Sequence, residues 1–441
     1  MPSIAFHTLG CKLNFAESSH LLRGFKERGF SEKSFHEKAD VYVVNTCTVT
    51  AVAEKKCRAA IRQAYKLNND AVIAVIGCFS QVNAREIEKI EGVNIILGND
   101  DKNRLIDEVF SYMERKNQKG GADKEAEDSV DITNNVIDIS HLKTFSPSMS
   151  FDDRTRGFLK VQDGCDYFCS YCEIPFARGR SRSCSVAQAV ESAKMLAKEG
   201  KKEIVLTGVN IGDFGKGTSE TFFDLVKALD DKTDVQRYRI SSIEPDLLSK
   251  EIIDFCAQSR SFMPHFHIPL QSGSNKVLEN MNRHYRREDF AMKVNYIRSV
   301  LPNAFIACDV MTGFNGETEE EFLSAYSFLE SLPIAFIHVF TYSDRPDTKA
   351  YRIAGKVPVN ERRKRSEILQ KLSESKKRQF YQANIGYKAS ILWEESEKDG
   401  MMSGFSDNYI RAERPFEAEF VNTVTKETLC VLNTCKDAFV I

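Results

Sequence analysis

Asp163-Gly164-Cys165-Asp166-Tyr167-Phe168-Cys169-Ser170-Tyr171-Cys172 carries three cysteines at Cys-x3-Cys-x2-Cys spacing. Three thiolates on one short loop can hold three corners of a cubic iron–sulfur cluster, leaving the fourth iron without a protein ligand. A cluster that only carries electrons normally has a fourth cysteine. The open iron therefore points to a small, reactive ligand. Zinc is the plainer alternative, but a structural zinc site takes four ligands. No further cysteine or histidine lies within ten residues on either side of the triplet; Cys184 is the nearest cysteine, twelve positions on.

The triplet directly follows an apolar run, Phe158 to Val161, that reads as a strand. Five more such runs succeed it: Glu203 to Leu206, Tyr238 to Ile240, Phe266 to Ile268, Phe305 to Val310 and Phe336 to Val339. Helical patterns separate them, including Val186 to Glu199 and Glu319 to Ser331. Six strand–helix units predict a partial (βα)6 barrel, whose chemistry gathers on loops after the strands. The cysteine loop obeys that rule.

The amino-terminal stretch alternates in the same way. Ile4 to Phe6, Val41 to Val44, Val72 to Ile76 and Ile95 to Leu97 read as strands. Asn14 to Arg28, Glu54 to Leu67 and Asn83 to Glu91 read as helices. This predicts a parallel sheet covered on both faces. From about Ser111 to Ser150 the chain turns polar and charge-rich around Gly120-Gly121, which predicts a mobile linker with a short edge strand near Val136-Ile137. Glu361 to Arg378 reads as a helix with eight Lys or Arg and three Glu. Period-two alternation at Tyr387, Ala389, Ile391 and Trp393, and again at Phe416, Ala418 and Phe420, predicts a small antiparallel β-barrel. The fold class is α/β, divided as 1–112, a linker at 113–150, the barrel at 151–378 and the terminal barrel at 379–441.

Cys11, Cys47 and Cys78 form a second set, separated by 36 and 31 residues. Each lies just past a predicted strand, and in a parallel sheet those loops share one edge, where ligands bind. The bland reading is three buried core cysteines, which are common. Core cysteines fall inside strands or on apolar helix faces, as Cys57 and Cys308 do here. Gly10 and Gly77, preceding two of the three, would let the backbone wrap a bulky inorganic ligand.

The chain has 441 residues, 42% hydrophobic and 28% charged, with net charge −2. These values are ordinary for a globular protein and advertise no general affinity for nucleic acid. No apolar run reaches membrane-spanning length, and Met1-Pro2-Ser3-Ile4-Ala5-Phe6-His7 lacks the shape of a signal peptide. A cytoplasmic location, with twelve cysteines used for metal or packing rather than disulfides, is the expectation.

Together the two cysteine sets and the terminal barrel resemble the radical S-adenosylmethionine (radical-SAM) methylthiotransferase family, over nearly the whole chain. Other matching stretches are Cys172-Glu173-Ile174-Pro175-Phe176-Ala177-Arg178-Gly179, His267-Ile268-Pro269-Leu270-Gln271-Ser272-Gly273, Gly313-Phe314-Asn315-Gly316-Glu317-Thr318 and Phe340-Thr341-Tyr342-Ser343-Asp344-Arg345-Pro346-Asp347-Thr348. Asn315 departs from the proline of many relatives, which would loosen that loop. The terminal barrel looks like a TRAM domain, a module associated with RNA. Phe6-His7-Thr8-Leu9-Gly10-Cys11-Lys12-Leu13-Asn14 and Asn45-Thr46-Cys47-Thr48-Val49-Thr50 most resemble the branch that acts on threonylcarbamoyladenosine beside the tRNA anticodon.

The resemblance implies two 4Fe-4S clusters, on Cys165, Cys169 and Cys172 and on Cys11, Cys47 and Cys78, together with S-adenosylmethionine. It implies reductive cleavage of that cofactor, hydrogen abstraction at adenine C2 and insertion of a methylthio group. The partners would be the tRNA anticodon stem-loop and an external electron donor, with no membrane. Related branches act on isopentenyladenosine or on a ribosomal-protein aspartate, and a rival of another class is a zinc-dependent RNA-binding protein without catalysis.

Loops after barrel strands offer cofactor contacts: Thr207, Gly208, Ser241, Ser242, Glu244, Gln271 and Ser272, with Tyr171 packing on adenine. A serine at a strand end can instead cap the next helix. Arg362, Arg363, Lys364, Arg365, Lys376, Lys377 and Arg378 are candidate phosphate contacts, though a solvated helix face is the commoner meaning of such a run. Phe405, Tyr409 and Arg411 are candidates to stack on or grip unpaired bases, or else to fill the small barrel's core.

Overall fold

Short apolar runs rich in Val and Ile become strands here because both of their faces are buried, and the amphipathic segments between them become the helices that bury them. The computed structural model describes residues 1–118, 131–132, 139, 145–150 and 155–441. The predicted edge strand at Val136-Ile137 and the Gly120-Gly121 pair lie outside them.

The chain divides into two compact units. The first takes the described part of Met1–Asp153 together with Asp163–Asp166 and Cys172–Arg182; the second takes the described part of Arg154–Gln162, then Tyr167–Tyr171 and Ser183–Ile441. The cysteine loop thus passes from the first unit to the second and back.

In the first unit six strands pair in parallel, in the spatial order Ser31–Glu32, Ser3–Thr8, Val41–Thr46, Val72–Gly77, Ile95–Leu97 and Asp131–Ile132. Val41 to Val44 and Ile73 to Ile76 are fully enclosed, with less than 1% exposure, so two hydrophobic layers sandwich the sheet. The helix Leu105–Gln118 continues beyond the expected boundary at 112, because Leu105 and Val109 are buried and Tyr112 and Met113 pack on the same layer. Polar composition alone concealed that stripe.

In the second unit Arg156–Lys160, Glu203–Thr207 and Arg237–Ile240 pair in parallel, as do His265–His267, Phe305–Thr312 and Phe336–Thr341. Parallel bridges Tyr238–Phe262 and Ser242–His267 join the two triples. Helices start where side chains satisfy their first amides: Ser185 and Thr221 both form capping boxes. The helix Val359–Ala383 packs along Phe336–Thr341.

The carboxyl-terminal strands Lys388–Lys398, Met401–Ser406, Arg411–Pro415 and Val424–Thr428 form an antiparallel curl around the fully buried Trp393. The strand expected through Phe416, Ala418 and Phe420 is instead a 3-10 turn, Ala418–Phe420. The ladder with Met401–Ser406 runs one residue past Pro415, where the Phe416 amide donates to the carbonyl of Gly400 at 2.9 Å, before the chain turns away. Phe416 and Phe420 still pack against the Trp393 core, so their apolar signal was real and its period was misleading.

Candidate iron–sulfur and cofactor site

Strand ends in the first unit gather the second cysteine set. Cys11 is the N-cap of the helix Lys12–Glu27, Cys78 is the first residue of the helix Cys78–Glu88, and Cys47 stands four residues before the helix Ala51–Leu67. Amide dipoles at helix starts favour anions such as thiolates. Asn14 ties the ends together: its side-chain amide donates to the carbonyls of Leu9 at 2.7 Å and Thr46 at 3.0 Å. Thr46 Oγ1 donates to the carbonyl of Ile76 at 2.7 Å.

A Cβ built on Gly10, whose φ is +100°, would stand 2.9 Å from both Cβ and Sγ of Cys47. The three sulfurs are close enough for the charges of Cys78 and Cys11 to act on Cys47. Burial, the larger cause, pushes the Cys47 thiol up to about 12. Bound iron would hold such a thiol ionised at neutral pH. Gly10→Ala should therefore displace Cys47 and lower the iron content from about eight to about four per chain; colorimetric iron analysis after anaerobic reconstitution measures it.

The same unit holds Cys165 and Cys172, and hydrogen bonds tie their neighbours to those of this set. The Cys165 amide donates to the carbonyl of Gly179 at 3.1 Å. Thr48, beside Cys47, donates to the Glu173 carboxylate, beside Cys172, at 2.7 Å. The Asn99 amide donates to Cys78 Sγ at 3.5 Å and to the carbonyl of Ala177 at 2.6 Å. Among the described residues, no three Cys, His, Asp or Glu side chains close around one point as a mononuclear ion requires. Thiolates at three corners of an iron–sulfur cube stand further apart than that.

The second unit holds Cys169. Arg283 donates to its Sγ at 3.1 Å and pairs with Glu244. Glu244 therefore faces a guanidinium, not an open ribose site; burial pushes its carboxyl up to about 7 although Arg283 pulls it down. Tyr171 packs edge-on to Phe314, ring centres 6.2 Å apart, so one of its ring's contacts is protein core. Ser272 accepts from the Ser274 amide at 3.2 Å and serves the local turn, the capping alternative. Ser242 meets His267 Nδ1 at 2.9 Å, and His267 Nε2 meets Asp309 at 2.8 Å. Gln271 has φ of +66°, and its backbone bonds to Asp309 and Met311. Asn315 does not loosen its loop: its amide donates to the carbonyl of Ala350 at 2.9 Å, and the Ala350 amide reaches the carbonyl of Ser170, beside Cys169, at 2.8 Å.

Thr207 and Ser241 do converge, at neighbouring strand ends where Leu206 is paired with Ile240. The loop after Thr207 is pinned by Gln162, whose Oε1 accepts from the amides of Val209 and Asn210, both at 2.9 Å. A Cβ on Gly208 would lie 2.8 Å from that oxygen. Thr207 Oγ1, Ser241 Oγ and both polar atoms of the Asn210 amide are buried with no hydrogen-bond partner among the described residues. Orphaned polar groups are costly, and such a cluster at strand ends suits a small polar ligand. The chemistry of these unpartnered groups fits the amine, carboxylate and hydroxyls of S-adenosylmethionine. Asn210 was missed in the sequence, although it stands only three residues beyond Thr207. Arg283 was also missed, because it lies 114 residues from the cysteine it serves.

The basic helix is mostly structural on one face. Arg362 donates to the carbonyls of Val357 and Tyr342 at 2.8 and 3.1 Å and to Asp344 at 2.9 Å. Arg365 pairs with Glu317 at 2.7 Å, and Lys376 donates to the carbonyls of Glu330 and Leu332 at 2.9 and 2.8 Å. Burial removes these three from the phosphate-contact set. Arg363, Lys364 and Arg378 are exposed, while Lys377 is half-buried over the Tyr381 ring. Phe405 and Tyr409 stack on each other at 4.8 Å beneath Arg156 and Arg239, so their faces meet protein instead of bases. Arg411 is half-buried.

Residues 3–98 match the model of the Uncharacterized protein family UPF0004, and residues 159–329 match that of the Radical SAM superfamily. The chain is 37% identical to the threonylcarbamoyladenosine tRNA methylthiotransferase of Bacillus subtilis, covering 93% of this chain and 90% of the relative. Against the enzyme of the same name from Aquifex aeolicus it is 36% identical, covering 93% and 96%. Its fold is similar to that of a radical S-adenosylmethionine methyltransferase from Kitasatospora setae solved with cobalamin and a 4Fe-4S cluster. The TM-score is 0.55 at 14% identity, covering 93% of this chain and 82% of that one.

Proposed function

Because the chain belongs to the radical-SAM methylthiotransferase family, we propose that it inserts a methylthio group at adenine C2 of N6-threonylcarbamoyladenosine beside the anticodon of tRNA. The observation that carries this reading is the tie between cysteine sets within the first unit. Asn99 joins Cys78 to Ala177, and Thr48 joins the Cys47 loop to Glu173, five and one residues beyond Cys172. Two sets held together suit one reaction that uses both.

Cys165, Cys169 and Cys172 would bind one 4Fe-4S cluster, and Cys11, Cys47 and Cys78 the other. When bound, the clusters and S-adenosylmethionine supply the electron, the carbon radical and the methylated sulfur that the reaction consumes. Thr207, Asn210 and Ser241 offer their unpartnered polar atoms to the cofactor's amine, carboxylate or hydroxyls. Arg283 offsets the charge of the Cys169 thiolate. Arg363, Lys364 and Arg378 are the exposed phosphate contacts for the anticodon stem-loop, and Lys377 and Arg411 add partial ones. An external donor provides the electron. No helix among the described residues is long and apolar enough to cross a membrane, and action on tRNA agrees with a cytoplasmic enzyme.

Deleting the gene should remove 2-methylthio-threonylcarbamoyladenosine from tRNA hydrolysates, leaving the unmethylthiolated nucleoside in its place. Mass spectrometry of nucleosides from deletion and parent cells measures this. Loss of methylthio-isopentenyladenosine alone would redirect the assignment to the other nucleoside.

A further inference from the structure

A chain of buried charge in the first unit links residues that neighbour both cysteine sets in sequence. Lys102 Nζ donates to Glu17 Oε2 at 2.5 Å. Arg178 donates to the two Glu17 oxygens at 3.0 and 3.1 Å, to Asp163 at 3.1 Å and to Asn14 Oδ1 at 2.6 Å. The four charged side chains are all at most 7% exposed. Taking such ions out of water is costly, and well-packed apolar residues would often stabilise the fold as well. The network therefore asks for a reason other than stability.

Its anchor points suggest one. Asp163 stands two residues before Cys165, Asn14 three after Cys11, and Arg178 six after Cys172. Ala177, next to Arg178, receives the same Asn99 amide group that donates to Cys78 Sγ. Burial holds the Lys102 ammonium below its usual value, with Glu17 and then Cys78 opposing it, whereas for Arg178 burial is outweighed by the charges of Glu17, Cys78 and Asp163. Arg182 also pairs with Asp163, at 3.3 Å, so three cations, Lys102, Arg178 and Arg182, face two carboxylates, Glu17 and Asp163, and the network carries one positive charge in excess. Reducing a cluster adds one negative charge, and a buried positive field stabilises that state.

Resting on the reading that Cys11, Cys47 and Cys78 hold a cluster, we propose that Lys102 and Arg178, braced by Glu17, are positioning residues that raise its reduction potential. The electron added comes from the external donor, and no bond to iron changes.

The test uses the full chain with Cys165, Cys169 and Cys172 replaced by serine, so that only this cluster is reconstituted, at about four irons per chain. Titration with dithionite, followed by electron paramagnetic resonance, reads its potential. Lys102→Met should shift the potential downward, and Lys102→Arg should restore it. Glu17→Gln should shift it upward, because an anion is removed while the Arg178 charge stays. Mere loosening of the fold would not move the two variants in opposite directions. Equal potentials in the parent, Lys102→Met and Glu17→Gln overturn the proposal. Should Lys102→Met fail to fold, Glu17→Gln decides alone: an upward shift supports the proposal and an unmoved potential sinks it. A parent that binds no iron refutes the cluster reading itself, a failure distinguishable from an iron-loaded parent whose potential ignores these residues.

Discussion

Cys165→Ala is expected to abolish reductive cleavage of S-adenosylmethionine, whereas Cys11→Ala should keep cleavage and lose methylthio transfer. The reason lies in ligand count. Each set supplies three thiolates, and removing one leaves two, too few to hold a cube with one open iron. Altering a group that merely orients a metal ligand typically costs about 10–100-fold, and loss of a ligand should cost more. Production of 5′-deoxyadenosine under dithionite, with methylthiolated nucleoside counted in parallel, separates the two activities. Each variant should retain about four of about eight irons. If both variants keep full turnover, the cysteine sets do not divide the labour as proposed here. Because Cys165 and Cys11 belong to one unit and Arg178 bonds to a near neighbour of each, Asp163 and Asn14, iron counts on both variants also reveal whether losing one cluster releases the other.

What could be read in advance follows from the range over which each signal acts. Strand–helix alternation is local, and it located Val41–Thr46, Val72–Gly77 and Ile95–Leu97 to within two residues. The cysteines past strand ends needed only the rule that parallel strands share a carboxyl edge. Polar partners were less legible, because their identity depends on residues distant in sequence. Glu244 looked like a hydroxyl acceptor until Arg283, 39 residues away, occupied it. Arg362, Arg365 and Lys376 share a run of positive charge with Arg363, Lys364 and Arg378. Helical geometry turns the first three onto a neighbouring sheet, where carbonyls and Glu317 receive them, and leaves the others in solvent. A charge run does not announce which of its members face inward. Period three to four would have separated them, had the apolar partners Leu369, Leu372 and Phe380 been used to fix the buried face.

Phe405 and Tyr409 were misleading for a related reason, and the residue beneath them carries the largest expected effect on stability. Glu203 opens the strand Glu203–Thr207 and is fully buried. Its carboxylate lies 2.9 Å from Arg239 Nε and 3.1 Å from Arg237 Nε, both arginines being themselves buried. Those guanidinium groups carry the terminal strands: Arg239 donates to the carbonyls of Asp407 and Ser406 at 2.9 and 2.7 Å, and Arg237 to that of Phe405 at 3.2 Å. Glu203→Ala leaves two buried cations without their counter-charge, which typically costs about 3–5 kcal/mol. For a unit of this size, that corresponds to a fall of about 10 °C in the unfolding midpoint.

The pH dependence has a definite sign. Burial pushes the Glu203 carboxyl upward, but Arg239, Arg237 and Arg156 outweigh it and hold the group below the usual carboxylate range. A lowered carboxyl contributes its full stability above the unfolded value, about 4.3, and loses it as pH falls through the folded value. The gap between parent and Glu203→Ala should therefore be constant from neutral pH to about 5 and shrink in stronger acid. Calorimetric midpoints taken at steps of pH measure it. Equal midpoints at neutral pH would mean that the terminal strands are held by the Trp393 core alone, and that Arg237 and Arg239 find other partners once Glu203 is gone.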